Sequence, residues 1–276
     1  MRNRPVLIVE AASGAAGDMF LGALLDLGLD VGELVRRLES LGVTGWRLET
    51  ERVSRAGLPA LKVHVRLDVL HGGEEAPGDS HAHHGHQGHE SGHGHQHLMD
   101  AHGPARSLAD ILQIIRASGM SERAKSLADK AFQRLGEAEA TAHVVPVSEV
   151  HFHEVGALDA LIDICGTAIL VDMLDVEAIF LADLAVGGGT VHCAHGELEV
   201  PTPATRAMLS SLPFRMGPRP RELLTPTGAA LLRALEVVPA CPSGEVLREG
   251  FGAGSLDFTE HANRLRLVLA HVRSAR

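Results

Sequence analysis

The chain has 276 residues, 45% of them apolar and 3% aromatic, enough for a sizeable core in one domain or two small ones. A formal net charge of −10 offers no basic stripe for neutralising phosphates, which excludes a nucleic-acid partner, and no apolar run approaches a membrane span or a signal-peptide core. Three cysteines (Cys165, Cys193, Cys241) lie far apart with no CxxC spacing, so a reducing compartment, the cytoplasm, is expected for a soluble globular protein.

VLIVEA (6–11) reads as a buried strand bounded by Pro5 and a small-residue turn, and SGAAGD opens a helix that Gly28 stops. Asp30 and Glu33 form a capping box for a second helix whose apolar face is Val31, Leu34, Val35, Leu38 and Leu41. Strands follow at WRLETERV and LKVHVRLDV. In the latter Leu61, Val63, Val65 and Leu67 face one way, and Lys62, His64, Arg66 and Asp68 the other. Residues 71–106 carry almost no apolar periodicity. Ordering them would cost roughly 1–2 kcal/mol per residue with nothing buried in return, so a flexible linker is expected.

Structure resumes with a helix capped by Ser107 and Asp110, then a longer helix from about Ser121 to Ala142 with Leu127, Ala131, Leu135 and Ala138 on its buried side. SEVHFHEV is a short extended segment, followed by a helix from about Ala157 to Leu174 and a strand through EAIFLADLAV. Thr202-Pro203 and Thr225-Pro226 each place a capping hydroxyl before a proline at a first helical position. LRLVLAHV is the last strand. The pattern is α+β: a small mixed sheet with helices on one face, plus a second α/β layer. The expected units are a β-α-α-β-β lobe at 1–70, the histidine-rich linker at 71–106 and an α/β lobe at 107–276.

The sharpest local chemistry lies in SEVHFHEVGALDALID (148–163). An extended VHFHE puts Glu149, His151 and His153 on one face, and Asp159 and Asp163 share a face of the next helix. His151, His153, Glu154, Asp159 and Asp163 could build a mixed N/O site for a divalent metal, with Glu139 and His143 reaching the same place from the preceding helix. The helix dipole alone also favours the two aspartates, and paired histidines also occur as satisfied surface residues. The loop ASGAAGDM could cradle a phosphate through Ser13, Gly14, Gly17 and Asp18. In VGGGTVHCAHGELEVPTPAT, Gly188 permits close backbone approach to a ligand, and His192, Cys193 and His195 are further contacts. The most visible metal binder is the linker itself: His81, His83, His84, His86, His89, His93, His95 and His97 are eight of the chain's 18 histidines. No Ser-His-Asp order or nucleophile elbow is present.

The blocks SGAAGDMFLGALLDLG, AEATAHVVPVSEVHFHEVGALDALIDICG, VGGGTVHCAHGELEVPTPAT, ELLTPTGAALL and GFGAGSLDF…ANRLRLVL resemble the LarC-type nickel-insertion proteins, the pyridinium-3,5-bisthiocarboxylic acid mononucleotide nickel chelatases. The resemblance implies a lyase that inserts nickel into a dithiolated pyridinium mononucleotide, forming a carbon–nickel bond flanked by sulfurs, with CTP consumed. The product is the nickel-pincer cofactor of lactate racemase-type enzymes. Asp18 lies in the matching GDM block; Glu139, His143, His151, His153, Glu154, Asp159 and Asp163 lie in the AEA…HFHEVG…D…D block. His195, Thr225 and Thr227 lie in the later ones, Thr225 and Thr227 as substrate contacts. Where the family pattern has an acidic residue followed by cysteine, Glu10 is followed by Ala11, which removes any thiol role there. The resemblance also places the CTP step in a C-terminal portion beyond these blocks, so CTP use by this chain would call for that portion or a partner chain. Self-association is left open. The alternative reading is a nickel or zinc storage protein or metallochaperone, with the histidine run gathering metal and no reaction of its own.

Overall fold

The computed structural model describes residues 4–67, 106–152, 158–193, 196–217 and 220–272. The histidine run at 81–97, with His153, Glu154 and His195, lies outside the described residues.

The first part contributes β1 (Val6–Ala11), α1 (Gly17–Asp26), α2 (Val31–Glu39), β2 (Trp46–Arg55) and β3 (Leu58–Leu67). Beyond it come β4 (Arg106–Ser107), α3 (Leu108–Ala117), α4 (Glu122–His143), β5 (His151–Phe152), α5 (Leu158–Leu174) and β6 (Ile179–Leu184). The chain continues through β7 (Thr190–Cys193), β8 (Gly196–Glu199), α6 (Pro203–Met208), α7 (Pro226–Ala234), β9 (Val238–Pro239), β10 (Gly244–Ala253) and β11 (Arg264–Val272). Seven strands form one mixed sheet in the order β2-β3-β10-β11-β1-β6-β9, with two small ribbons, β4-β5 and β7-β8. The class is α+β, as the mixture of hairpin-like strands and helices predicts.

The main core lies between the sheet and the helical layer. It joins Leu7 and Val9 of β1, Leu265, Leu267 and Leu269 of β11, and Phe20, Leu21 and Leu24 of α1 to residues of the other helices. The period of two in a strand sends the alternate residues Val6, Ile8, Val268 and Ala270 to the opposite face, where they form a separate small cluster. Helix α5 is apolar on nearly every side and packs against α1, α2, α4 and α7, which is where a helix without a polar face must sit.

Local signals account for most boundaries. The Asp30 carboxylate accepts from the Glu33 N–H, Ser107 and Asp110 form a reciprocal capping box, and the Thr225 hydroxyl accepts from the Gly228 N–H. Four expectations need correction. Val31 is 40% exposed, because the buried face of α2 narrows to Leu34 and Leu38. The Thr202 hydroxyl caps nothing and instead donates to Thr205 Oγ1 at 3.1 Å. Residues Val147–Glu149 close a 3-10 turn, so the extended segment is only His151–Phe152 and Glu149 does not share its face. Within that segment the alternation holds, with Phe152 buried edge-on against Phe132 and His151 exposed. Finally, β10 and the β7-β8 ribbon are additional elements.

Candidate functional site

Strands β1 and β6 run parallel, and β11 runs antiparallel to β1, so Ala11, Leu184 and Arg264 come to the same end of the sheet. The connection from β1 into α1, the loop after β6, the segment before α7 and the turn from β10 to β11 all meet there. This end lies beyond the carboxyl ends of parallel strands, where open sheets place ligands. The loops are tied together: Ser13 Oγ donates to the Ala262 carbonyl at 2.6 Å, Ala15 N–H donates to Leu223 O at 3.0 Å, and Thr225 N–H donates to Ala15 O at 3.1 Å.

Helix α1 starts without a side-chain cap of its own, since its N-cap is Ala16. A backbone hydrogen bond from Asp18 to the Asp163 carboxylate of α5 satisfies part of the open first turn. Gly17 makes this approach possible, because a Cβ at that position would overlap the Asp163 carboxyl group. Asp163 is half-buried, but its Oδ1 is closed off from solvent and has no hydrogen-bond partner. Burial first, then the neighbouring charges of Asp18 and Asp159, push its carboxyl well above the usual range; Lys62 and the Asp18 N–H oppose the shift.

Lys62 is the counter-charge. Its ammonium is ion-paired with Asp18 and donates to Ser255 Oγ at 2.8 Å, with the lysine side chain 5% exposed and that of Asp18 23%. The cluster therefore holds one carboxyl group that favours its protonated form, one carboxylate paired to a buried cation, and Asp159 close enough to be felt. Unequal acids in one pocket are a recurring means of holding and moving a proton.

Of the residues singled out from sequence, Asp18, Asp159 and Asp163 come together. Glu139 and His143 pair with each other on α4 at 3.4 Å. His151 lies on the β4-β5 ribbon opposite Ser107, where its charge is felt by Asp110. Among the described residues no group of three or more His, Cys, Asp or Glu side chains is arranged to hold a metal ion. Gly14 lies against Leu223, Gly188 N–H donates to Arg221 O at 3.1 Å, Thr225 caps α7, and Thr227 sits half-buried in the first turn of that helix.

Lys62 and Ser255 were not singled out as site residues. Alternation assigns Lys62 to the polar side of its strand, yet its relative exposure is 4%. The available signal is a lysine inside a largely apolar run, LPALKVHV, in a chain of formal net charge −10.

Residues 7–276 match the family model described as nickel insertion protein, and the chain belongs to that family. A relative from Geobacter sp. (strain M21) is 38% identical over 265 residues, which is 96% of this chain and 61% of the relative. The pyridinium-3,5-bisthiocarboxylic acid mononucleotide nickel insertion protein of Akkermansia muciniphila is 38% identical over 265 residues, covering 95% of this chain and 59% of its own length. The protein of the same name from Geobacillus kaustophilus is 35% identical over 266 residues, 96% of this chain and 59% of the relative. The chain thus spans about three-fifths of the length of the curated relatives it matches. No solved structure matches it. Among the described residues no helix is long and apolar enough to cross a membrane.

Proposed function

We propose that this chain is the metal- and substrate-handling part of a nickel chelatase, a lyase that inserts nickel into pyridinium-3,5-bisthiocarboxylic acid mononucleotide to make a nickel-pincer cofactor of the lactate racemase type. Family membership supports the metal and the substrate class. The observation that carries this reading is the buried, unbonded Oδ1 of Asp163, set beside Asp18, Asp159 and Lys62 at the loop end of the sheet. Replacing a ring hydrogen by nickel releases a proton, and the Asp18 carboxylate, paired with Lys62 beside Asp163, is suited to receive it. Nickel is the cargo here. Oxygen and imidazole donors hold it loosely enough for transfer to the softer sulfurs of the substrate. We assign the histidines of 81–97, with His151, His153 and Glu154, to gathering and delivery, and CTP use to the C-terminal region of the longer relatives or to a partner chain.

The test mixes this chain, nickel and the dithiolated mononucleotide, with and without CTP and a C-terminal portion from a relative. Nickel–carbon product formed only when this chain is present supports the reading. Several loosely bound metal ions with no product under any of these conditions would contradict it and favour storage.

A further inference from the structure

The turn from β10 to β11, residues 254–263, is pinned on both sides of Ser255. The Arg55 guanidinium donates twice to the Gly254 carbonyl, from Nε at 2.9 Å and from Nη2 at 2.8 Å. The Gly254 N–H donates to the Asn263 carbonyl at 2.9 Å, and Asn263 Nδ2 donates to the Leu256 carbonyl at 2.8 Å. A Cβ at position 254 would overlap the amide of the buried Asn263 side chain, so a glycine lets the two pack. Further along, Asp257 Oδ1 accepts from the Ala56 N–H at 3.2 Å and the Ala262 carbonyl from Ser13 Oγ at 2.6 Å.

Ser255, set between these ties, reaches the buried Lys62. An ammonium carries three N–H donors pointing in separate directions. One is spent on Asp18 Oδ2 and another on Ser255 Oγ at 2.8 Å. Among the described residues nothing else bonds to the Asp18 carboxylate, so its Oδ1 stays open. With the Ser255 hydroxyl removed, the second donor of a buried ammonium needs another acceptor. The other oxygen of the carboxylate it already holds is at hand. An ammonium bridging both oxygens would cover Oδ1 and stabilise the charged form of Asp18, making it a poorer proton acceptor.

We propose that Ser255 is a positioning residue: pinned by Arg55 and Asn263, it holds the Lys62 ammonium on Asp18 Oδ2 and keeps Oδ1 open for the proton released on nickel insertion. The reaction rests on the nickel-insertion reading above; the placement of Lys62 stands on the hydrogen bonds alone. In that reaction the electron pair of the broken carbon–hydrogen bond forms the carbon–nickel bond, and the proton passes to Asp18 Oδ1. Ser255 acts through Lys62, so its loss slows the chemical step and spares substrate binding.

Two readouts on the full chain test this. The first is single-turnover nickel insertion at saturating nickel, with CTP and a C-terminal portion of a relative supplied. Ser255→Ala should lower the limiting rate about tenfold, as loss of one hydrogen bond to a charged group does, with the half-saturating substrate concentration unchanged. Ser255→Thr, which keeps the hydroxyl, should restore the rate. The second readout needs no reaction. The chain has only three lysines, Lys62, Lys125 and Lys130, so nitrogen-15 labelling of lysine isolates the ammonium groups, and Lys62→Met identifies the signal that belongs to Lys62. Ser255→Ala should shift that signal and speed its proton exchange, and Ser255→Thr should reverse both. A parental rate or an unmoved Lys62 signal in Ser255→Ala overturns the proposal, as does a Ser255→Thr chain that recovers neither. The two readings fail separately. A Lys62 signal that responds to Ser255→Ala in a chain that inserts no nickel removes the chelatase and leaves the placement of Lys62 by Ser255 standing. Nickel insertion at the parental rate in Ser255→Ala does the reverse.

Discussion

Asp163 is where the energetics of single residues are most exposed. Its carboxyl group is held towards the protonated form by burial and by two neighbouring acids, so the folded state takes up a proton more readily than the unfolded one. The raised value means that stability declines as pH rises above the unfolded value of about 3.9, until the folded value is passed. Asp163→Asn, which matches the protonated acid in shape, should therefore gain stability over the parent by a margin that widens from pH 4 towards neutrality. Thermal unfolding across that range checks it; a margin independent of pH would refute the assignment. Lys62→Met should act in the opposite direction, because it leaves the Asp18 carboxylate beside Asp163 without its cation. The cost should be about 2–3 kcal/mol in denaturant unfolding, below the ~3–5 of a wholly buried pair because Asp18 keeps some contact with water. Adding Asp18→Asn should recover most of it. Asp163 was legible as a candidate because it shares a helical face with Asp159. Lys62 was not, because alternation assigns a side of a strand but does not say that the polar side is covered.

Among the elements, β10 shows where pattern reading stops. GEVLREGFGA carries glycines at 250 and 252, and a sequence with interior glycines reads as a turn rather than a strand. The reason lies across the sheet: a Cβ at Gly252 would overlap the Met19 carbonyl of α1, so the strand is built without side chains where the helix backbone crosses it. Gly252→Ala should cost about 1–3 kcal/mol as α1 is forced off the sheet, and should disturb the Asp18–Lys62 pair at the start of that helix. Unfolding midpoints give the first effect. If the variant is as stable as the parent, the close approach of α1 to β10 is not what holds the site. By contrast β1 was legible to the residue, and so were the starts of α3 and α7. Their signals are local: an apolar run after a proline, a Ser-Asp capping box, and a threonine before a first-turn proline. The 3-10 turn at Val147–Glu149 was not, since three residues hold no period to read.

For the whole molecule, composition drew attention to the histidine run, while the fold draws together a quieter set of side chains. Elements from distant parts of the sequence, α1, β3, α5 and the turn after β10, converge and bring Asp18, Lys62, Asp163 and Ser255 together. Convergence of this kind is invisible to motif reading, because Lys62 meets Asp18 across 44 residues and Ser255 across 193, and no spacing rule connects them. It also sets the division of labour in the proposed function: the run gathers nickel and the sheet end performs the exchange. Nickel insertion into pyridinium-3,5-bisthiocarboxylic acid mononucleotide, followed in single turnover at saturating nickel with CTP and a C-terminal portion supplied, measures that division directly. The variants to compare are a deletion of 81–97 and Asp18→Asn. The deletion should keep the parental rate and fall behind only when nickel is scarce, whereas Asp18→Asn should lose about 100-fold or more while remaining folded. Full activity in Asp18→Asn together with loss of insertion on deleting 81–97 would contradict the account and make the histidine run the working site.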